Sequence, residues 1–170
     1  MKPSDGRYSF ERLGDHDRES FVCGIGTLDE YLRRQATQDA RRKVAAPFVM
    51  TDCDGVILGY YTLSAYAVKA AELPAAITKK LPRYPLLPAT MLGRLAIGRD
   101  HQGKKLGGLL LMDALYRSWR NTSEVASVGV IAEAYDESAQ AFYEHHEFVP
   151  FADNPRKLFL AMKTIEKALA

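Results

Sequence analysis

The pattern of apolar and polar positions is clearest between residues 91 and 121, where it predicts a strand, a loop and a helix in succession. Residues 91–97 are apolar and branched around one arginine, which is typical of a mostly buried strand. From Leu106 onward, apolar residues recur at helical spacing, and the helix is expected to end near Arg120 and Asn121. In an open sheet built this way, a ligand is expected at the carboxyl end of the strand, where the chain crosses over.

The same spacing rules predict the other elements. Strands are expected over residues 8–13, 46–51, 56–66, 125–131, 148–151 and 157–162. Helices are expected from Thr27, as the N-cap of a capping box with Glu30, to about Gln38, and over residues 73–80, 136–145 and 164–170. Hairpins early in the chain and strand-helix-strand units late in it indicate an α/β fold with a mixed sheet.

Turn-forming residues separate these elements. Asp54 and Gly55 predict a tight antiparallel hairpin between the second and third strands. Pro82, Pro85 and Pro88 are expected to exclude regular structure until residue 91, which would leave a surface loop with a basic start.

Length and composition suit a single domain over residues 1–170, because 47% of the residues are hydrophobic and can bury a substantial core. Lys and Arg number 23 and Asp and Glu 21, so the net charge of +2 argues neither for nor against a nucleic-acid partner. Basic residues nevertheless cluster over residues 33–43 and 79–83. Such clusters can make a basic face, and solvated helix surfaces are the alternative interpretation.

Several classes of site have no signal in the sequence. Cys23 and Cys53 are expected to be reduced and buried, since their spacing implies neither a disulfide framework nor a zinc site. Residues 1–10 are polar, and the chain has no run of about eighteen apolar residues. These patterns predict a cytoplasmic protein without a metal or a membrane span.

The loop before the long helix has the character of an anion site. Small residues let a phosphate approach the backbone, and the first N–H groups of a helix have no carbonyl partner. The loop and the helix start consist of Gln102, Gly103, Lys104, Lys105, Leu106, Gly107 and Gly108. They come within one residue of the nucleotide loop G-x-x-x-x-G-K-[ST], but Lys105 replaces the hydroxyl that would coordinate Mg²⁺. A different anion is therefore favoured, with a turn that holds no ligand as the alternative.

That loop resembles the acetyl-CoA loop of the GNAT acetyltransferases, [QR]-x-x-G-x-[GA], and here it reads QGKKLG. Gln102 and Gly107 match the family pattern, whereas Lys105 stands where the family has its first glycine. If the loop needs a left-handed residue there, a lysine costs about 1–2 kcal/mol. It would also place a cation beside the pyrophosphate.

Three ordered blocks extend the resemblance to nearly the whole chain: FVCGIGTLDEYLRRQATQD, LGRLAIGRDHQGKKLGGLLLMDAL and DESAQAFYEHHEFVPF. Together they resemble the GNAT-fold acetyltransferase toxins that are paired with ribbon-helix-helix antitoxins. The resemblance implies one GNAT-like domain, with a largely antiparallel central sheet flanked by helices. It also implies acetyl transfer from acetyl-CoA to the α-amino group of aminoacyl-tRNA, a homodimer, and binding of operator DNA together with the antitoxin.

The resemblance further implies roles for individual residues. The catalytic tyrosine of the family falls on Tyr143, while Glu147 stands where the family usually has a glycine. The strand whose backbone pairs with the pantetheine arm matches Leu95, Ala96 and Ile97. A tyrosine suits the role of proton donor, because a phenol of pKa about 10 is protonated at neutral pH and a leaving thiolate needs a proton. An amphipathic core tyrosine is the alternative for Tyr143.

Basic residues supply the candidate contacts to a polynucleotide, namely Arg33, Arg34, Lys79, Lys80, Arg83 and Arg94. For Arg94, a salt bridge on the sheet surface and a contact to substrate phosphate are both open. The strand over residues 91–97 contains no carboxylate that could act as a base, which favours an α-amine over a lysine as acceptor. Two other functions stay open: a GNAT enzyme acting on a protein amine or a small-molecule amine, and a weakened, non-catalytic module with the CoA-binding fold.

Overall fold

Seven strands form one mixed sheet in the computed structural model, which describes residues 6–170; residues 1–5 of the polar N-terminal segment lie outside it. The strands are β1 (Ser9–Arg12), β2 (Ala46–Thr51), β3 (Ile57–Lys69), β4 (Leu86–Ile97), β5 (Gly129–Glu133), β6 (Val149–Phe151) and β7 (Asn154–Ala161). Their order across the sheet is β1-β2-β3-β4-β5-β7-β6. β4 and β5 are parallel, whereas β1 with β2, β2 with β3, β5 with β7 and β6 with β7 are antiparallel. The predicted α/β class with a mixed, largely antiparallel sheet is confirmed.

Six α-helices lie between and after these strands along the described chain. They are α1 (Gly26–Glu30), α2 (Ala36–Arg41), α3 (Ala75–Thr78), α4 (Leu106–Asn121), α5 (Glu137–His145) and α6 (Met162–Leu169). A π-helical segment, Tyr31–Gln35, joins α1 to α2, and α4 begins and ends at the residues that the periodicity predicted. Packing divides the described chain into two compact units, the first running up to Ser64 and including Gly93–Ala114, the second comprising Ala65–Leu92 and Leu115–Ala170.

In the first unit, the start of the early helix differs from the prediction. The N-cap is Ile25 rather than Thr27, and Gly26 is the first helical residue. The capping box with Glu30 does not form, because Thr27 already lies inside the helix. The buried Asp29 carboxylate accepts the Cys23 N–H at 2.8 Å. The helical region also continues beyond Gln38 to Arg41.

The predicted hairpin of β2 and β3 is confirmed, with Gly55 in its turn at φ +79°. The Asp52 carboxylate accepts the N–H groups of Asp54 and Val56, which satisfies the turn. Of the two cysteines, Cys23 is buried, but Cys53 lies in this turn and is exposed, so its predicted burial is wrong.

In the second unit, the starts of β4 and β5 differ most from the prediction. β4 begins at Leu86 and contains Pro88, because a proline lacks only the backbone donor and the Pro88 carbonyl still accepts the Val128 N–H at 2.8 Å. β5 begins at Gly129, since Val125 still belongs to the turn that follows α4 and donates to the Asn121 carbonyl.

Each unit has its own apolar core. The buried cluster of the first unit contains Phe21, Cys23, Leu28, Tyr31, Leu32, Ala36, Val49, Ile57, Tyr60 and Ala96. The cluster of the second contains Val68, Leu73, Leu87, Ala89, Met91, Ile131, Phe151 and Phe159.

Candidate functional site

The loop between β4 and α4 is braced by the first candidate residue, Gln102. Its side-chain Nε2 donates to the Cys23 carbonyl at 2.8 Å and to the Ile97 carbonyl at 2.9 Å. The Gly98 N–H donates to the Leu58 carbonyl at 2.8 Å, which fixes the other end of the loop. Gln102, predicted as a cofactor contact, therefore uses both donors of its amide to shape the loop.

Two residues of this loop have left-handed backbone conformation. Gly103 lies at φ +80° and Lys105 at φ +63°. The lysine at position 105 is left-handed, so the backbone cost of about 1–2 kcal/mol that was conditional on this conformation applies there. Lys104 and Lys105 are exposed, whereas Leu106 is buried and anchors the start of α4. The loop thus presents two cations and the first N–H groups of α4, which is the environment that a phosphate needs.

The strand before the loop approaches its neighbour closely at one glycine. A Cβ at Gly59 of β3 would lie 2.7 Å from Ile97 Cδ1 and 2.8 Å from the Ala96 carbonyl oxygen. Leu95 and Ile97 are half-buried, and Ala96 is buried. Sequence reasoning missed Gly59, although a glycine inside a strand pattern is itself a sign of close backbone approach.

The register of β4 with its parallel neighbour covers only part of β4. Its partners run from Thr90 opposite Val130 to Leu92 opposite Ala132, and β4 continues beyond this register to Ile97. Leu95, Ala96 and Ile97 therefore follow the end of that ladder.

Arg94 lies over an aromatic ring. Its guanidinium carbon is 3.5 Å from the centroid of the Tyr31 ring, and the Tyr31 hydroxyl donates to the Asp39 carboxylate at 2.9 Å. Burial raises the pKa of Tyr31 to about 12, assisted by that hydrogen bond. The pKa of Asp39 is lowered, first by the hydrogen bond from Gln35, then by Tyr31, Arg94 and Arg42. The contact of Arg94 is thus a cation–π contact, which neither of the sequence alternatives included.

Arg33 and Arg34 differ in exposure. Arg33 Nη2 donates to the Phe21 carbonyl at 2.7 Å, and its side chain is 20% exposed. Arg34 is 81% exposed and pairs with Glu30 at 3.0 Å. The structure therefore gives Arg33 a role in holding the segment before α1, and only Arg34 projects into solvent.

In the second unit, Tyr143 lies on α5 and is 4% exposed. Its ring contacts those of Phe142 and Phe148, with centroids 5.4 Å and 5.2 Å away. Burial raises the pKa of the Tyr143 phenol well above its ordinary value, with a smaller effect from Tyr135. The hydroxyl therefore keeps its proton throughout the physiological range.

The turn after this helix contains Glu147 at φ +71°. Its N–H donates to the Glu144 carbonyl at 3.0 Å, and the Phe148 N–H donates to the Tyr143 carbonyl at 3.1 Å. The turn into β6 thus forms with a glutamate in the left-handed conformation that a glycine adopts without strain.

The second basic cluster follows α3. Lys79, Lys80 and Arg83 are all exposed. Tyr84 is 64% exposed beside them, and sequence reasoning did not single it out. The sequence signal for Tyr84 is an aromatic residue between Arg83 and Pro85, next to the cluster of cations.

Within residues 6–170, no group of three or more His, Cys, Asp or Glu side chains is arranged to hold a metal ion. None of the helices described is both long and apolar enough to cross a membrane.

Comparison with known proteins relates this geometry to characterised toxins. The chain is 33% identical over 153 residues to a tRNA-acetylating toxin of Mycobacterium tuberculosis, covering 89% of this chain and 90% of that protein. It is 26% identical to a probable toxin TacT of Sinorhizobium fredii, covering 91% and 90%. No protein-family model matches the chain.

Solved structures agree with the sequence relatives. A tyrosine-to-phenylalanine mutant of KacT has a TM-score of 0.88 at 30% identity, covering 95% of this chain and 99% of its own. AtaT complexed with acetyl-methionyl-tRNAfMet has a TM-score of 0.87 at 31% identity, covering 96% and 99%. A relative of this identity over nearly the full length of both proteins establishes the family: the chain belongs to the tRNA-acetylating toxins, which are GNAT acetyltransferases.

Proposed function

We propose that this chain is a toxin that transfers the acetyl group of acetyl-CoA to the α-amino group of an aminoacyl-tRNA and thereby blocks translation. The observation that carries the proposal is its 33% identity to a tRNA-acetylating toxin over 89% of the chain. The likeness to AtaT, solved with acetyl-methionyl-tRNAfMet, supports the same substrate class. Within this proposal, residues 1–170 act as one acetyltransferase domain.

Acetyl-CoA is the co-substrate, and AtaTR has been solved bound with AcCoA. The pyrophosphate lies against the loop and helix start formed by Gly103, Lys104, Lys105, Leu106, Gly107 and Gly108. The helix N-terminus and the two exposed lysines support this assignment, because both favour an anion. Gln102 holds the loop in shape. The backbone of Leu95, Ala96 and Ile97 pairs with the pantetheine arm beyond the end of the β4–β5 register.

Tyr143 donates a proton to the leaving thiolate. Acetyl-CoA supplies an activated thioester, so a new C–N bond forms at the acetyl carbonyl while the C–S bond breaks. The phenol gives its proton to the sulfur and regains one from the amine, which leaves an amide and a free thiol. Burial raises the pKa of Tyr143, which keeps the hydroxyl protonated at neutral pH but also makes it a weaker acid. KacT and AtaT were both crystallised as tyrosine-to-phenylalanine mutants, which is consistent with this role.

The acceptor is an α-amine because β4 brings no base to the reaction. Residues 93–97 of β4 are glycine, arginine and three apolar residues. An α-amino group has a pKa of about 7.7–8.0, so about a tenth to a sixth of it is neutral and nucleophilic at pH 7. A lysine amine, at about 10.4, would need a base to remove its proton.

Phosphates of the tRNA contact the exposed cations Arg34, Lys79, Lys80 and Arg83, together with Arg94. Each cation that neutralises a phosphate releases a counterion, which makes binding favourable and dependent on salt. Arg33 is left out, since its guanidinium is already bound to the Phe21 carbonyl.

The partners follow from the same proposal. A ribbon-helix-helix antitoxin neutralises the toxin and joins it on operator DNA, and the toxin works as a cytoplasmic homodimer. AtaT has been solved bound to the C-terminus of the antitoxin AtaR, and KacTA has been solved in a DNA complex. These structures, at 28% and 27% identity, support an antitoxin and a DNA partner.

Mass spectrometry tests the proposed reaction. Purified protein is incubated with acetyl-CoA and a pool of charged tRNA, and the aminoacyl ends are released and weighed. A mass increase of one acetyl group on the α-amine is expected. Acetylation of free amines or of protein lysines, with no change to the charged tRNA, would instead favour an enzyme with a different acceptor.

A further inference from the structure

The side chain of Arg94 is held by residues that have no role in the proposed reaction. Tyr31 lies under its guanidinium, and Asp39 accepts hydrogen bonds from the Tyr31 hydroxyl at 2.9 Å and from Gln35 Nε2 at 3.0 Å. We call Tyr31, Gln35 and Asp39 the Arg94 clamp. All of its members come from one continuous helical stretch, and the clamp lies in the first unit.

The distance between Arg94 and Tyr31 fixes the orientation of the guanidinium. Its carbon is 3.5 Å from the ring centroid, so an edge-on guanidinium would drive a nitrogen into the ring. The group must therefore lie nearly flat on the ring. A stacked guanidinium keeps its N–H donors in the plane, directed away from the ring, where they match the oxygens of a phosphate.

The carboxylate of the clamp is occupied by neutral donors. Asp39 accepts from Tyr31 and Gln35, while Arg94 lowers its pKa through charge alone. Within residues 6–170, Arg94 has no carboxylate at salt-bridge distance. Asp39 thus attracts the guanidinium without occupying its N–H groups, which leaves Arg94 oriented and available for an external anion.

The local fold explains why this arrangement forms. The Ala36 N–H donates to the Tyr31 carbonyl five residues earlier, so the chain makes a π turn between α1 and α2. That wide turn sets where Tyr31, Gln35 and Asp39 fall around the helix. Such turns are uncommon and occur frequently at functional sites. The Tyr31 ring is nearly parallel to that of Tyr60, with an interplanar angle of 12°, and the Tyr60 hydroxyl donates to the Leu28 carbonyl.

We propose that Arg94 binds a phosphate near the 3′ end of the charged tRNA, and that Tyr31 and Asp39 are positioning residues that orient it for this contact. The inference rests on the proposed function, because it needs a polynucleotide acceptor. Arg94 directly precedes Leu95, the first of the residues assigned to the pantetheine arm. A phosphate bound by Arg94 would hold the acceptor end of the tRNA beside the same strand that binds the acetyl donor.

The test compares two acceptors with each variant. One acceptor is charged tRNA, and the other is the aminoacyl ester of adenosine, which has the same reacting amine and no phosphate. Tyr31→Leu removes the stacking surface, whereas Tyr31→Phe keeps the ring and loses only the hydroxyl. Tyr31→Leu is expected to raise KM for charged tRNA about two- to twelve-fold, because Arg94 must then be ordered when the phosphate binds, at a cost of about 0.5–1.5 kcal/mol. Tyr31→Phe is expected to have a smaller effect.

Arg94→Lys is the second variant and covers the case in which Tyr31→Leu misfolds. It leaves the Tyr31 ring in place and keeps the positive charge, but it loses the planar guanidinium. It is expected to raise KM for charged tRNA to a similar extent while leaving kcat within about two-fold, since its contact is uniform in ground and transition states. Neither Tyr31→Leu nor Arg94→Lys is expected to change KM for the adenosine ester. Calorimetry should give an unchanged Kd for acetyl-CoA in both variants.

The outcomes separate this inference from the reaction itself. If the wild type acetylates no charged tRNA, the proposed function fails and takes the inference with it. If the wild type acetylates charged tRNA and the Tyr31→Leu and Arg94→Lys variants keep its KM, only the inference is overturned. Equal rises in KM for both acceptors, or a weakened Kd for acetyl-CoA, would overturn it as well, because Arg94 would then not be reading a phosphate of the tRNA.

Discussion

The side-chain amide of Gln102 donates to the carbonyl of Cys23, which ties the loop before α4 to the segment before α1. A second hydrogen bond, to the Ile97 carbonyl, ties the same amide to the end of β4. The loop thus keeps its shape before any ligand arrives. Preorganisation of this kind reduces the ordering cost of binding.

Gln102→Ala is expected to weaken acetyl-CoA binding about five- to 150-fold, because two hydrogen bonds worth about 0.5–1.5 kcal/mol each, about 1–3 kcal/mol together, no longer hold the loop. Calorimetry with acetyl-CoA measures the change. Gln38→Ala, which removes an exposed glutamine amide of α2 outside this loop, serves as the control. An unchanged Kd in Gln102→Ala would show that the loop holds its shape without the amide.

Tyr143→Phe is expected to lower kcat by about 10²–10⁴-fold while leaving the Kd for acetyl-CoA unchanged, which is the usual effect of losing a positioned acid. The ring contacts with Phe142 and Phe148 remain in the variant, so the fold is conserved. Single-turnover rates on charged tRNA measure the effect. Wild-type turnover in the variant would rule out the role of proton donor.

Lys105→Gly isolates the cost of the left-handed lysine. Removing strain gains about 1–2 kcal/mol, whereas losing an exposed cation beside phosphate costs about 0–1 kcal/mol. Acetyl-CoA is therefore expected to bind equally well or slightly better, as measured by calorimetry. A tenfold weaker Kd would instead identify Lys105 as a phosphate ligand.

Alkaline pH is expected to destabilise the fold. Burial raises the pKa of Cys23 from 9.0 to about 11 and that of Tyr31 from 10.0 to about 12. Between these values the native state holds protons that the unfolded chain has released, so stability is fully present below pH 9 and falls as pH rises to about 12. Urea unfolding across this window measures the slope. Tyr31→Phe should flatten the part between pH 10 and 12, and an unchanged slope in that variant would show that Tyr31 does not contribute.

Replacing Lys79, Lys80 and Arg83 with Ala is expected to raise KM for charged tRNA and to flatten its dependence on salt, with acetyl-CoA affinity unchanged. Each lost phosphate contact reduces the slope of log K against log salt by about 0.7–0.9. KM measured across a salt series gives both slopes. Identical slopes in the two proteins would remove this loop from the RNA site, and a wild-type slope near zero would argue against a polynucleotide acceptor.

Local periodicity was enough to predict much of the fold. α4 follows its apolar spacing from Leu106 to Asn121, and α5 begins after the Asp136 cap, whose carboxylate accepts the Ala139 N–H. Both elements depend on residues close in sequence. The loop motif could be read in the same way, because its glycines and lysines are consecutive.

Contacts distant in sequence could not be predicted in this way. The amide of Gln102 reaches Cys23 across 79 residues, so the loop motif alone could not predict that this side chain also braces the loop. The sequence predicted Arg33 as a surface cation, whereas its guanidinium donates a hydrogen bond to the Phe21 carbonyl. Pro88 lies in a strand because its carbonyl pairs with Val128, and no rule local to the proline reveals that partner.

The left-handed glutamate after α5 has a consequence for mutation and selection. Glu147→Gly would release about 1–2 kcal/mol of backbone strain against about 0.5–1 kcal/mol of added chain entropy, so the exchange is neutral to stabilising. A glutamate codon becomes a glycine codon by a single nucleotide transition, whereas a lysine codon requires two changes. A random-mutagenesis screen for thermal tolerance should therefore recover glycine at Glu147 well before it recovers glycine at Lys105, although both residues have left-handed backbone conformation.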